Sequence, residues 1–285
     1  MDPRTRPCRS VLYIPGSKER ALEKARGLAA DAIIFDLEDA VTPEEKVNAR
    51  ATLAAELAKG GYGKRLRIVR INGFDTEWGR DDAKAVTEMD ADAVLLPKVS
   101  SPADLAALAA ITGDLPIWAM METPRGMLNA AAIAAHPKLE GMVMGTNDLA
   151  KELQTRFRAD RLPLLAGLGL CLLAAKAEGL VIVDGVYNAY LDEEGLKAEC
   201  DQGRDMGFDG KTLIHPAQVA VANTAYAPSE AEVDLARRQI AAFEETRASG
   251  QGVAVVDGRI VENLHVATAR EVLAKAEAIE ALQAG

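Results

Sequence analysis

Apolar residues fall into eight short, nearly unbroken runs along the chain, Ser10–Pro15, Ala32–Leu37, Leu66–Ile71, Asp92–Pro97, Leu115–Met121, Gly141–Thr146, Leu180–Gly185 and Asp209–Ile214. Short runs without strict alternation are how strands of a parallel sheet read, because crossover helices cover both faces. The runs begin 22 to 39 residues apart. Between them lie Ala-, Leu-, Glu- and Lys-rich segments with helical spacing, such as Glu19–Ala30, Pro43–Lys59 and Ser101–Ile111. A strand, a loop and a crossover helix occupy about 30 residues, so the pattern predicts an α/β chain folded as a (β/α)8 TIM barrel. A doubly wound open sheet would space its strands similarly; the count of eight and the polar residues that follow the runs favour the barrel.

Beyond His215 the pattern changes, and the barrel is assigned to residues 1–222 and a C-terminal extension to 223–285. Ser229 with Glu232 three positions on is a capping box that opens a long Ala-rich helix ending near Ser249. Val253–Val256 and Arg259–Glu262 flank Asp257-Gly258, a strong hairpin signal because both turn positions tolerate positive φ. A last helix is predicted over Val266 to Gln283. This helix, hairpin and helix appendage is expected to pack on the barrel or on a neighbouring subunit.

Composition narrows the function. The chain has 285 residues, a net charge of −10 and 49 % hydrophobic residues, enough apolar mass for a large core. An acidic surface with no run of basic residues disfavours nucleic acid, so any anionic ligand needs a local basic pocket. Cys8, Cys171 and Cys200 are far apart and form no CxxC pair, which argues against disulfides or structural zinc and fits a reducing cytoplasm. The segment MDPRTRPCRS lacks the apolar core of a signal peptide. The longest apolar stretch, Leu162 to Ala175, is too short for a membrane span and is expected to be a buried helix. Gly210-Lys211-Thr212 lacks the first glycine of a phosphate loop, since Asp205 stands there.

A barrel builds its active site from residues that follow its strands. Those residues are Asp36, Glu38 and Asp39, Arg70 and Asn72, Lys98, Glu122, Asn147 and Asp148, Asp184 and His215. Glu122 and Asp148 end neighbouring strands, where two carboxylates with water can hold Mg²⁺; two solvated or salt-bridged carboxylates are the alternative. Arg70 lies inside a buried strand, and its fork suits a carboxylate of a substrate or of a neighbour such as Glu38. Three carboxylates crowd Asp36-Leu37-Glu38-Asp39, although Asp39 could simply cap a helix. The loop with Lys18 and Arg20 joins a strand to a helix N-terminus and offers an anion cradle.

Taken in order, Arg9–Gly16, Asp36–Val41 with Lys46 and Ala49-Arg50, Arg70-Ile71-Asn72, Leu96-Pro97-Lys98, Met121-Glu122-Thr123 and Gly145–Asp148 resemble the HpcH/HpaI aldolase and citrate lyase β-subunit superfamily, and within it the CitE-like acyl-CoA lyases such as malyl-CoA and citramalyl-CoA lyases. The likeness runs from about Arg9 to Leu273. It implies a homotrimer or homohexamer that cleaves or forms the carbon–carbon bond of a 3-hydroxyacyl-CoA, giving acetyl-CoA or a related acyl-CoA plus a 2-oxo acid. It further implies Glu122 and Asp148 as Mg²⁺ ligands with Mn²⁺ able to substitute, Arg70 as the grip on the 2-oxo acid carboxylate, Lys18 and Arg20 near the CoA phosphates, and Glu38 and Asp39 as an acidic pair beside the arginine. The family's Gly-x-hydrophobic-hydrophobic-Asp pattern, which a C-terminal segment carries to a neighbour's site, reads Gly258-Arg259-Ile260-Val261-Glu262 here, so Glu262 is one methylene longer. Hydrolysis of malyl-CoA on the same scaffold and the β-subunit of a citrate lyase acting on an acyl-carrier protein are the alternative activities.

Overall fold

The computed structural model describes residues 6–249 and 253–284. The predicted first residues of MDPRTRPCRS lie outside them. The chain divides into two compact units, Cys8–Tyr226 and a second comprising Ala227–Gly285 with Met1–Pro7.

In the first unit eight parallel strands close into a barrel in sequence order. They are β1 (Ser10–Pro15), β2 (Ala32–Asp36), β3 (Leu66–Arg70), β4 (Ala93–Leu96), β5 (Ile117–Met121), β6 (Leu139–Met144), β7 (Val181–Asp184) and β8 (Gly210–Leu213). Helices cross back between them, among them Glu19–Ala25, Lys46–Ala58, Pro102–Thr112, Leu165–Glu178 and Glu193–Met206. The fold is the expected (β/α)8 barrel, and each predicted run contains or overlaps a strand. Asp92 and Asp209, expected as first strand residues, stand just ahead of theirs, and each accepts the backbone N–H of a residue on the preceding strand, Arg67 and Ile182 respectively.

Alternation along the strands separates two apolar layers. Val11, Ile34, Ile68, Leu95, Trp118, Met120, Val143 and Val183 fill the barrel interior. Leu12, Ile33, Phe35, Val69, Val94, Ala119, Met142 and Ile182 join the layer shared with the helices. Trp118 fits because Gly141 stands beside it; a Cβ there would lie 2.5 Å from the indole. The stretch Leu162–Ala175 is helical from Leu165 but is not buried all round. Leu168, Cys171 and Ala175 face the core, whereas Leu170 and Leu173 are exposed, Leu173 by 73 %. A barrel helix has an outer face, and the apolar composition of this one conceals that from a reading of run length alone.

In the second unit the Ser229 capping box forms, with Glu232 N–H donating to Ser229 Oγ and Ser229 N–H donating to Glu232. The helix Glu230–Ser249, strands β9 (Ala254–Val256) and β10 (Arg259–Val261) and the helix Asn263–Gln283 follow. Asp257 and Gly258 both have positive φ, as the hairpin turn requires. Among the described residues no helix is long and apolar enough to cross a membrane.

Candidate active site

The inward alternation of the strands carries on past the apolar interior into polar residues. Ala32 and Ile34 lead to Asp36, Leu66 and Ile68 to Arg70, and Trp118 and Met120 to Glu122. Asp36 is the register partner of Arg70, so the two side chains meet in the barrel mouth. Arg70 Nε and Nη2 donate to the two Asp36 oxygens at 2.7 and 2.6 Å. Its Nη1 faces Glu38 at 2.8 Å and Asp39 at 3.4 Å. The fork is therefore closed by Asp36 rather than by Glu38, and the Nη1 edge is the part left toward the site. Burial works against this guanidinium, yet Asp36, Tyr13 and Glu38 together hold it charged well above its ordinary range.

The loop carrying these carboxylates is pinned from below. Asp36 accepts the backbone N–H groups of Glu38 and Ala40 at 2.9 and 3.0 Å. The buried Lys46 ammonium donates to the Leu37 and Glu38 carbonyls at 3.1 and 2.8 Å, and Asn72 donates to the Leu37 carbonyl at 2.8 Å. Asp39 caps no described helix; the next helical turn, Pro43–Glu45, begins after Thr42. Asp39 instead lines the pocket. Glu38 lies between Arg70 and the Lys98 ammonium, 3.4 Å away, and burial raises its proton affinity above the usual carboxylate range despite those cations.

Glu122 follows β5 and is buried, while Asp148 lies in the first turn of the helix Thr146–Glu152 after the adjacent β6. Glu122 Oε1 accepts the backbone N–H of Lys98 at 2.7 Å, a contact made possible by the positive φ of Lys98. Gly145 must lack a side chain, because a Cβ would lie 2.4 Å from the Glu122 carboxylate. Burial, followed by the charge of Glu38, pushes the Glu122 carboxyl up to about 8. No ion pair engages Glu122 or Asp148 among the described residues, and no cluster of three or more His, Cys, Asp or Glu capable of holding a metal occurs there. Two hard oxygen donors beside an open pocket, one of them pushed up by burial and by the neighbouring Glu38, fit a cation that completes its shell with water and substrate.

The pocket has a volume of about 300 Å³ and is lined by Tyr13, Asp39, Arg70, Glu122 and Asp148 among others. A second cavity of about 410 Å³ adjoins it, sharing Thr146, Asn147 and Val186. Lys18 pairs with Glu45 on the surface, Arg20 is exposed, and neither lines these cavities. Glu262 belongs to the C-terminal unit, where it is exposed at the start of Asn263–Gln283 and its N–H donates to His265. His215 begins a helical turn by accepting the Ala217 N–H. Asp184 is committed to Arg161 at 2.6 Å and to Lys211, a fully buried lysine that also donates to Glu199 at 2.6 Å. Tyr13 was missed as a pocket residue, although its place two residues after Val11 marks it as inward-facing.

Residues 9–216 match the family described as HpcH/HpaI aldolase/citrate lyase. A (3S)-malyl-CoA thioesterase of Cereibacter sphaeroides is 72 % identical over 98 % of both chains. A citrate lyase subunit beta of Escherichia coli is 35 % identical over 96 % of this chain and 95 % of its own. Among solved structures, the protein CitE of Mycobacterium tuberculosis in complex with magnesium, acetoacetate and coenzyme A is 32 % identical, covers 96 % of this chain and 99 % of that one, and superposes with a TM-score of 0.79.

Proposed function

The chain belongs to the HpcH/HpaI aldolase/citrate lyase family and is an enzyme, and from this premise we propose that it is a Mg²⁺-dependent thioesterase that hydrolyses malyl-CoA or a closely related 3-hydroxyacyl-CoA. The observation that carries this reading is the uncompensated carboxylate pair Glu122 and Asp148 beside the buried Arg70, in a chain 72 % identical to (3S)-malyl-CoA thioesterases. The carbon–carbon lyase activity that the motifs place first is the second reading, supported by the citrate lyase relatives at 35 % identity.

Bound by Glu122 and Asp148, the cation would polarise substrate oxygens and hold negative charge, and Mn²⁺, with the same preference for oxygen ligands, is proposed to substitute. Arg70 offers its Nη1 edge to the acyl carboxylate, while Asp36 fixes the guanidinium plane. Glu38 or Asp39, both facing that edge, takes a proton from the attacking water. The new C–O bond forms, the C–S bond breaks, and the products are the free hydroxy acid and the CoA thiol. A thiol leaves as a thiolate with a pKa of about 8.5, so it requires little acid assistance. Lys18 and Arg20 are proposed to meet the CoA phosphates. Glu262 is proposed as a further acid or base on its sequence pattern alone. If it serves a neighbouring subunit, inactive Arg70→Ala and Glu262→Ala chains mixed in one oligomer will regain partial activity.

Self-association is proposed as well. Leu170 and Leu173 lie on the outer face of Leu165–Glu178, an apolar strip that association would remove from water.

The deciding experiment follows free thiol and 2-oxo acid together when the purified protein meets malyl-CoA. Thiol release without 2-oxo acid or acetyl-CoA is the expected result. Equal release of 2-oxo acid and acyl-CoA would establish the lyase reading instead.

A further inference from the structure

We propose that the Tyr13 hydroxyl is a catalytic hydrogen-bond donor to the thioester carbonyl oxygen during hydrolysis, an inference that rests on the thioesterase reading above. Tyr13 stands in the barrel mouth on β1 and lines the pocket with Arg70, Glu122 and Asp148. Its ring lies under the Arg70 guanidinium, 4.9 Å from carbon to centroid, which fixes where the hydroxyl projects. That hydroxyl meets Met120 Sδ at 3.3 Å, and a thioether is a weak acceptor. Its proton is thus held in a polar site and given up to no strong partner. Burial, the main cause, raises the phenol's proton affinity well above the ordinary range, with Asp36, Glu122 and Glu38 acting the same way against Arg70.

Hydrolysis creates a need for such a donor. When water attacks the acyl carbon, the carbonyl π pair moves onto oxygen, and the resulting oxyanion is stabilised by aimed N–H or O–H groups. Asp36 and Asp39 face the Arg70 guanidinium as acceptors, and Glu122 and Asp148 are the oxygens assigned to the cation, so none of these four lining carboxyl groups is placed to donate. Arg70 spends Nε and Nη2 on Asp36 and points Nη1 at Glu38 and Asp39. Asn147 exchanges hydrogen bonds with Asn188 at 2.8 and 3.2 Å. The Thr146 hydroxyl lies against Gly185, in the space a side chain there would take. Tyr13 remains. As the oxyanion collapses, the C–S bond breaks and its electron pair leaves on sulfur. The carbonyl re-forms, and the Tyr13 proton stays on its own oxygen throughout.

Tyr13→Phe keeps the ring beneath Arg70 and removes the hydroxyl alone. With malyl-CoA as substrate, kcat for thiol release is expected to fall by about 100-fold while KM stays within about threefold. Thr146→Val is expected to change kcat by less than about threefold. An unchanged kcat in Tyr13→Phe, a rise in KM alone, or a loss confined to Thr146→Val would each overturn the proposal while leaving the thioesterase reading in place. A wild-type enzyme inert toward malyl-CoA would overturn that reading, and the donor role with it.

Discussion

The two ends of the barrel use one device, an aspartate at a strand end paired with a basic residue of a neighbouring element, to different effect. At the N-terminal end Asp31, Asp92 and Asp209 each precede a strand and accept the backbone N–H of Arg9, Arg67 and Ile182, at 2.8 to 2.9 Å. Each also has a cation: Arg9 closes on Asp31 with two bonds of 2.8 Å, Arg67 on Asp92, and Lys176 on Asp209 at 2.7 Å. At the C-terminal end the Asp36–Arg70 fork repeats that arrangement, but Glu38, Asp39, Glu122 and Asp148 are added to it. Among the described residues only Lys98 joins Arg70 in pairing with them, and Lys46 donates to carbonyls. Paired ends hold strands in register. The end with surplus negative charge keeps it at a cost in stability, and such a surplus is useful only to a ligand.

The largest test of this contrast removes the arginine at each end. Arg70→Met leaves Asp36 and Glu38 buried beside less positive charge, so a stability loss of about 3–5 kcal/mol is expected together with a fall in kcat/KM exceeding about 1000-fold. Arg9→Met should cost comparable stability in denaturant melts while kcat/KM per folded molecule stays within about threefold. Equal losses of activity from both would erase the distinction between the ends.

Next in size is a pH effect on chelated protein. Glu122 is raised from 4.5 to about 8, so between those values the folded state keeps a proton that the unfolded chain has released. Stability therefore falls as pH rises through that window, being highest for this group below pH 4.5. Melting curves in chelator from pH 5 to 8 should show that decline, and Glu122→Gln should flatten it. A wild-type decline equal to that of the variant would put its cause elsewhere.

Lys46→Met, which frees the Leu37 and Glu38 carbonyls, is expected to cost about 1–3 kcal/mol and to lower kcat through a displaced Glu38. The smallest effect on the fold belongs to Leu173→Glu, within about 0.5 kcal/mol for the isolated chain, yet sedimentation should show a smaller assembly. An unchanged sedimentation coefficient would take this face out of any interface.

The sequence made the barrel legible because every strand is buried on both faces and its apolar run is bounded by loop residues. Polar residues at or just past the ends of those runs marked Arg70, Glu122 and Asp148 as candidates for the same reason, and all three line the pocket. Their pairings were harder. Asp36 shares the inward face with Ile34 and stands beside Arg70, a consequence of register that residue types do not reveal. Arg161, the partner of Asp184, comes from an irregular segment with φ of +53°, where no periodicity applies. The strand-leading aspartates do leave a trace, Asp-Ala or Asp-Gly before an apolar run at positions 31, 92 and 209.

Calorimetric titration of Mg²⁺ into metal-free protein tests most directly whether the surplus charge at the C-terminal mouth is a cation site. One ion per chain is expected for the wild type and for Asp31→Asn at the opposite end, and none at the same concentrations for Glu122→Gln. Binding that survives Glu122→Gln undiminished, or a wild type that takes up no Mg²⁺, would contradict it.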